Sequence, residues 1–236
     1  MILPLFSVML SPIHLEQFST AEFRAGLAHR LSEEPVPASS GSHVLHRYPP
    51  LQVKEVKDTL LAIGICQGAV FLHSAVSGRT TMGTGGHECT IISRDPAIRS
   101  EEFGPDSHMH TYEFLTPWLA LNQQHAKKFY DLTGKPARDA FMEKLLLSHL
   151  TTLAKSLDAP LTQSVSCSAK VRFERMRIDR ENVMVFFGKF RTNLVIPDNL
   201  AIGRSVSEGY GTIRQIPDAG PLRPHDAPGK SGCAAR

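Results

Sequence analysis

Apolar and polar positions alternate along this chain in a sequence of short, distinct patterns. Ile2 to Leu10 is almost wholly apolar and reads as one buried strand. From Leu15 to Leu31 the period changes: Leu15, Phe18, Phe23, Leu27 and Leu31 recur on one helical face, and Ser19 or Thr20 is suited to cap it. The stretch EEPVPASSGS, residues 33–42, is a Pro/Gly/Ser loop. Residues 43–56 and 59–66 then read as two strands joined near Lys57 and Asp58. Residues 67–76 suit a short helix or turn, and a glycine-rich strand region follows around Met82 to Ile92. Strand, helix, strand, strand, helix, strand is the ferredoxin-like order.

The second half is α+β as well. The polar segment RDPAIRSEEFGPDS, residues 94–107, is the expected boundary, since a polar, proline-containing stretch buries little. Beyond it the pattern predicts a strand over 108–118 and helices over 121–132 and 137–157. The longer helix carries Phe141, Leu145, Leu146, Leu150 and Leu153 on its inner side. Strands are expected near 164–176, 183–193 and 210–215. The segment IPDAGPLRPHDAPGKSGCAAR, rich in Pro, Gly and Asp, is expected to be a flexible tail. The expected organisation is an N-terminal unit at 1–100, a C-terminal unit at 101–215 and a tail at 216–236.

Composition narrows the class. With 236 residues, 42% hydrophobic and 21% charged, the chain is an ordinary globular protein able to bury a core. The apolar start, MILPLFSVML, lacks a basic flank and is much shorter than the roughly 20 residues that span a bilayer. Cys66, Cys89, Cys167 and Cys233 are scattered, with no Cys-x-x-Cys pair, so a reducing, cytoplasmic setting without structural zinc is expected. The net charge of +3 is modest, but its distribution is uneven. Lys170 to Arg214 holds nine Lys or Arg against five acids. Between Lys170 and Arg180 charged and apolar residues alternate at strand period, putting Lys170 and Arg172 on the face opposite Val171 and Phe173. Such a face either only solubilises the sheet or meets a polyanion.

Two further segments carry candidate chemistry. Residues 201–211, AIGRSVSEGYG, place Gly203, Gly209 and Gly211 around Arg204 and Tyr210. Glycines allow positive φ and close backbone approach, which suits either a phosphate cradle or a plain hairpin. His43 and His46, followed by Arg47, Tyr48 and Lys54, combine groups that exchange protons near neutral pH with charge for an anionic transition state. That set suits phosphodiester cleavage, against the alternative of ordinary loop histidines. His29 on the first helix is a second candidate, while His73, His87, His108 and His110 sit where packing or solvation accounts for them.

Three blocks, HRYPPLQVK at 46–54, TPWLALN at 116–122 and GKFRTNLVIPDNLAIGRSVSEGYG at 188–211, resemble in order those of the CRISPR-associated Cas six endoribonucleases of the RAMP superfamily. They are most similar to the subgroup with a Tyr-Pro-Leu-Ile-Gln-Tyr-Lys block. The last block is the most specific, combining Asn193, Pro197, Gly203 and Gly-aromatic-Gly at 209–211. The resemblance implies two tandem ferredoxin-like, RNA-recognition-like domains. It also implies that Gly203, Arg204, Gly209, Tyr210 and Gly211 hold repeat RNA. The subgroup's His-Asn-His segment is replaced here by His43 and His46, which leaves open which one acts. Ala201 and Val53 also depart from the pattern.

The chemistry implied is attack of a ribose 2′-hydroxyl on the adjacent phosphate, giving a 2′,3′-cyclic phosphate with no metal or other cofactor. Catalysis would fall to His43, His46, Tyr48 and Lys54. RNA would be held by Arg47, Lys170, Arg172, Arg191 and the glycine loop, with Phe190 or Tyr210 as stacking surfaces. The implied partners are precursor and guide RNA and other proteins of CRISPR effector complexes, with no membrane, for a monomer or homodimer. A catalytically silent RNA-binding member of the superfamily is the alternative, and a ferredoxin-like regulatory domain without RNA is a third.

Overall fold

The computed structural model describes residues 1–33, 48–56, 59–178 and 180–217. Its first sheet is centred on β1 (Ile2–Pro12). A 3-10 turn at Leu15–Gln17 precedes α1 (Thr20–Glu33), so the predicted single helix is broken. The break coincides with the cap: Ser19 Oγ accepts a hydrogen bond from the Glu22 amide at 3.2 Å. The sheet continues with β2 (Leu51–Val56) and β3 (Thr59–Ile65), then α2 (Gln67–Val76) and the hairpin of β4 (Thr81–Thr84) and β5 (His87–Arg94). Strand order is β2-β3-β1-β5-β4, antiparallel throughout.

The polar segment at 94–107 is not a loop. It forms β6 (Arg99–Glu102), which pairs with the start of β1, and then enters β7 (Gly104–Phe114). Ladder hydrogen bonds satisfy the backbone whatever the side chains are. Asp95 ties the turn down, accepting from Ser7 N at 2.7 Å, Ser7 Oγ at 2.8 Å and Arg99 Nε at 3.0 Å.

The second sheet is built from β7, β8 (Cys167–Ile178), β9 (Glu181–Val195) and β10 (Ile213–Ile216), in the order β10-β7-β9-β8. Helices α3 (Gln123–Asp131) and α4 (Lys135–Ser156) lie between β7 and β8. In the second half the first strand sits between the third and the fourth and the second lies beyond the third; the first half has the same ferredoxin-like order with β5 of the β4–β5 hairpin in the fourth strand's place.

Alternation in β1 serves two cores. Phe6, Val8 and Leu10 face Phe23 and Leu27 of α1 and Leu72 and Val76 of α2. Leu3 and Leu5, with Ile63 and Ile65 of β3, belong instead to the core of the second half, among Phe103, Leu150, Leu153 and Ile196. Aromatic side chains fill that second core: Tyr112, Trp118, Phe186 and Phe190 are all buried, each worth roughly 1.5–3 kcal/mol of transfer free energy. Phe114 stacks on Trp118 at 5.1 Å. Among the described residues no helix is long and apolar enough to cross a membrane.

Candidate nucleic-acid interface

Between β9 and β10, where a ferredoxin-like unit carries its second helix, residues 196–212 form a loop with only one 3-10 turn, Val206–Glu208. An irregular segment satisfies only part of its own backbone, here through bonds such as Ile202 N to Gly211 O, so the remaining polar groups need outside partners. The partners come from two distant stretches, around 48–54 and 116–117. Ala201 exchanges two hydrogen bonds with Tyr48: the phenol donates to Ala201 O at 2.8 Å and accepts from Ala201 N at 2.7 Å. Lys54 Nζ donates to Asn199 O. Thr116 Oγ1 donates to Gly209 O at 2.6 Å and accepts from Thr212 N at 2.9 Å, while Gly211 N donates to Pro117 O at 2.8 Å.

Gly203, Gly209 and Gly211 have φ of 101°, 89° and 70°. At all three the close packing also excludes a side chain, and at Gly203 a Cβ would lie 2.7 Å from Trp118 Nε1. A Cβ on Gly209 would lie 2.9 Å from Lys54 Cβ, and one on Gly211 would overlap the carbonyl oxygen of Ile202. The loop is therefore pressed directly onto β2 and onto itself.

Tyr48 and Lys54, both expected to take part in catalysis, have their polar ends turned into the protein. Tyr48 is buried, and desolvation pushes its phenol up to about 12. Lys54 is completely buried, and desolvation lowers its ammonium to about 7. In this arrangement both tether the loop to β2. His43, His46 and Arg47 lie outside the described residues. The described chain resumes at Tyr48, beside the loop.

Lys170, Arg172 and Arg191 are exposed on the outer face of the second sheet, as their alternation predicts. The register puts Lys170 opposite Lys189, and Arg191 opposite Ser168 on one side and Thr111 on the other. Like charges directly across a ladder repel. Lys170, Lys189 and Arg191 have no ion-pair partner among the described residues. Arg172 stacks over Phe187 at 5.7 Å and pairs with Glu174 at 3.1 Å, and Arg214 pairs with Glu113 at 2.5 Å. Phe190 is buried, stacked on Tyr112 at 5.3 Å, and so offers no surface to a base. Tyr210 is half-buried within the loop. Arg204 is exposed and donates to Leu121 O at 2.8 Å.

The sequence reading missed His149. It lies on α4, packs edge-on against Trp118 at 5.6 Å, and burial, followed by the charges of His125 and Arg204, lowers its imidazole to about 4. Its position four residues after Leu145 and three after Leu146 was the available signal, because it puts the ring on the inner face of the helix.

Residues 48–54, 116–122 and 188–211, the described parts of the three blocks, thus meet at one place, around the glycine loop. Residues 104–216 match the family model of the Cas6b C-terminal domain. The second half of the chain is thus similar to the C-terminal domain of Cas6b. A solved Cas6b structure superposes with a TM-score of 0.71 at 23% identity, covering 92% of this chain and 100% of that one. Another, titled a CRISPR RNA processing endoribonuclease Cas6b, gives 0.67 at 24% identity with the same coverage. At these identities the two Cas6b structures share the fold. A protein of Methanocaldococcus jannaschii is 27% identical over 128 residues, which are 53% of this chain and 86% of that protein.

Proposed function

We propose that this chain is a Cas6-type endoribonuclease that processes CRISPR repeat RNA. The observation that carries the reading is the lock between the glycine loop and the strand that follows His43 and His46. Tyr48 and Lys54 hold Ala201 and Asn199, so the chain from Tyr48, two residues after His46, is fixed against the glycine loop. A solved structure of the same fold is titled a CRISPR RNA processing endoribonuclease, which supports the same reading.

In this reading the loop and the basic outer sheet face grip the RNA. Lys170, Lys189 and Arg191 neutralise phosphates, and binding weakens steeply as salt rises. His43 and His46 carry out proton transfer, one deprotonating the ribose 2′-hydroxyl and the other protonating the departing 5′-oxygen. Arg47 offsets the charge that grows on phosphorus. Lys54 and Tyr48 position the site and do not touch the reacting atoms, because both are buried and bonded to backbone. No step in this scheme requires a metal ion.

Incubation of the protein with single repeat RNAs in EDTA, followed by mapping of both product ends, tests the proposal. Cleavage at one phosphate with a 2′,3′-cyclic phosphate end is expected. Tight binding without any cutting would favour a silent RNA-holding protein instead.

A further inference from the structure

A cleft of about 150 Å³ lies between α4 and the glycine loop. One wall is Tyr48, Gly203 and Val206, and the facing wall is His149, Thr152 and Ser156. Sites for whole drug-sized ligands are roughly 300–1,000 Å³, so this cleft accepts one ring rather than an extended chain.

Its chemistry is selective. Among the described residues none that lines it is a Lys, Arg, Asp or Glu, which disfavours a phosphate as the occupant. Thr152 Oγ1 donates to Ser148 O at 2.8 Å and Ser156 Oγ donates to Leu153 O at 2.9 Å. Both hydroxyl protons are thereby used, and the oxygens are left as acceptors. The buried Nδ1 of His149 has no hydrogen-bond partner among the described residues. The walls are also preformed: Tyr48 is held at both its donor and its acceptor, and His149 rests on the fully buried Trp118.

We propose that this cleft receives one nucleobase of the bound RNA, turned out of the strand, and favours adenine or cytosine over uracil. A base removed from its stack is held by ring contacts and by hydrogen bonds to its edge. The acceptor oxygens of Thr152 and Ser156 match an exocyclic amino group, which uracil lacks. Pro49 and Leu153 supply apolar contact for the ring. Arg204, next to Gly203 and exposed, stands outside the cleft where the phosphate of the same nucleotide would lie. This inference rests on the RNA-processing reading and adds to it a specificity-determining site.

The test is fluorescence anisotropy with a single-stranded repeat RNA in which each nucleotide in turn is made abasic. One position should lose about tenfold or more in affinity, in line with the stacking of a single base on a protein ring. Uridine at that position should recover only part of the loss. Thr152 is exposed on its helix, so Thr152→Trp fills the cleft without entering the core. It should bring the unmodified RNA down to the abasic affinity and erase the effect at that position. Thr152→Val, which keeps the shape and removes the acceptor, should narrow the difference between cytosine or adenine and uracil. A profile in which no position stands out, or one that survives Thr152→Trp, overturns the base site while leaving RNA binding intact. Absence of any repeat-RNA binding at low salt overturns the RNA-processing reading itself.

Discussion

The two halves of the molecule share a strand order and differ in how the third strand is joined to the fourth. In the first half α2 makes the connection, burying Ala69, Phe71, Leu72 and Val76 on the sheet while its interior backbone bonds to itself. In the second half residues 196–212 make it, and their backbone is satisfied by Tyr48, Lys54, Thr116 and the Leu115–Leu121 stretch. A helix needs only an apolar stripe from its neighbours, whereas this loop needs specific donors and acceptors. Replacing the helix thus leaves a glycine-bearing loop whose backbone depends on residues as much as 153 positions away.

The largest break in that comparison comes from Gly211→Ala. The new methyl would overlap Ile202 O at a φ of 70°, so a loss of about 3 kcal/mol or more is expected in urea unfolding, together with loss of RNA binding. Val70→Ala on the exposed side of α2 should stay within about 0.5 kcal/mol in the same measurement.

Acid titration gives the next effect. The folded value of His149, about 4, is below its unfolded value of 6.5, so the unfolded chain binds the extra proton first. Stability should be unaffected by this group above pH 6.5 and fall as pH drops from 6.5 towards 4, by on the order of 3 kcal/mol. His149→Phe should flatten that part of the stability profile. A difference curve between the two proteins with no slope over this range would contradict the burial of His149.

Tyr48→Phe leaves Ala201 N and O without their partner and should cost about 2 kcal/mol, read by thermal melting. Lys54 sharpens the same point at the other end of the pH scale. Its folded value of about 7 is below its unfolded 10.5, so the penalty of burying the charge is full below pH 7 and is relieved as pH rises towards 10.5. Lys54→Met should remove that rise from the stability profile. The smallest effect is at Lys170→Gln on the open sheet face: no change in stability, a small loss of RNA affinity, and a salt slope shallower by about one.

Much of the architecture was legible in the sequence because its signals are local. The apolar run at 2–10, the inner leucines of α4 and the alternation at 170–178 each follow from the period of one element. Residues 94–107 read as a boundary because polarity was the only cue, yet β6 is made by pairing with β1, which no local pattern reports. Lys54 read as a cation available for catalysis. Its burial depends on Gly209, which the fold lays over its side chain from 155 positions away. His149 was hidden among the core leucines of its helix. The glycine loop was recognisable from its residues, but its attachment to β2 was not, since Tyr48 and Ala201 carry no mark of each other.

The central claim is that gripping and cutting reside in different segments, the loop at 199–211 and the histidines ahead of Tyr48. Its most direct test is to measure binding and cleavage of one repeat RNA side by side for the wild-type chain and the His43→Ala, His46→Ala double variant. The account predicts an unchanged Kd and a cleavage rate lower by at least a hundredfold, within the range that positioned acid–base groups contribute. Cleavage by the double variant at the wild-type rate would contradict it.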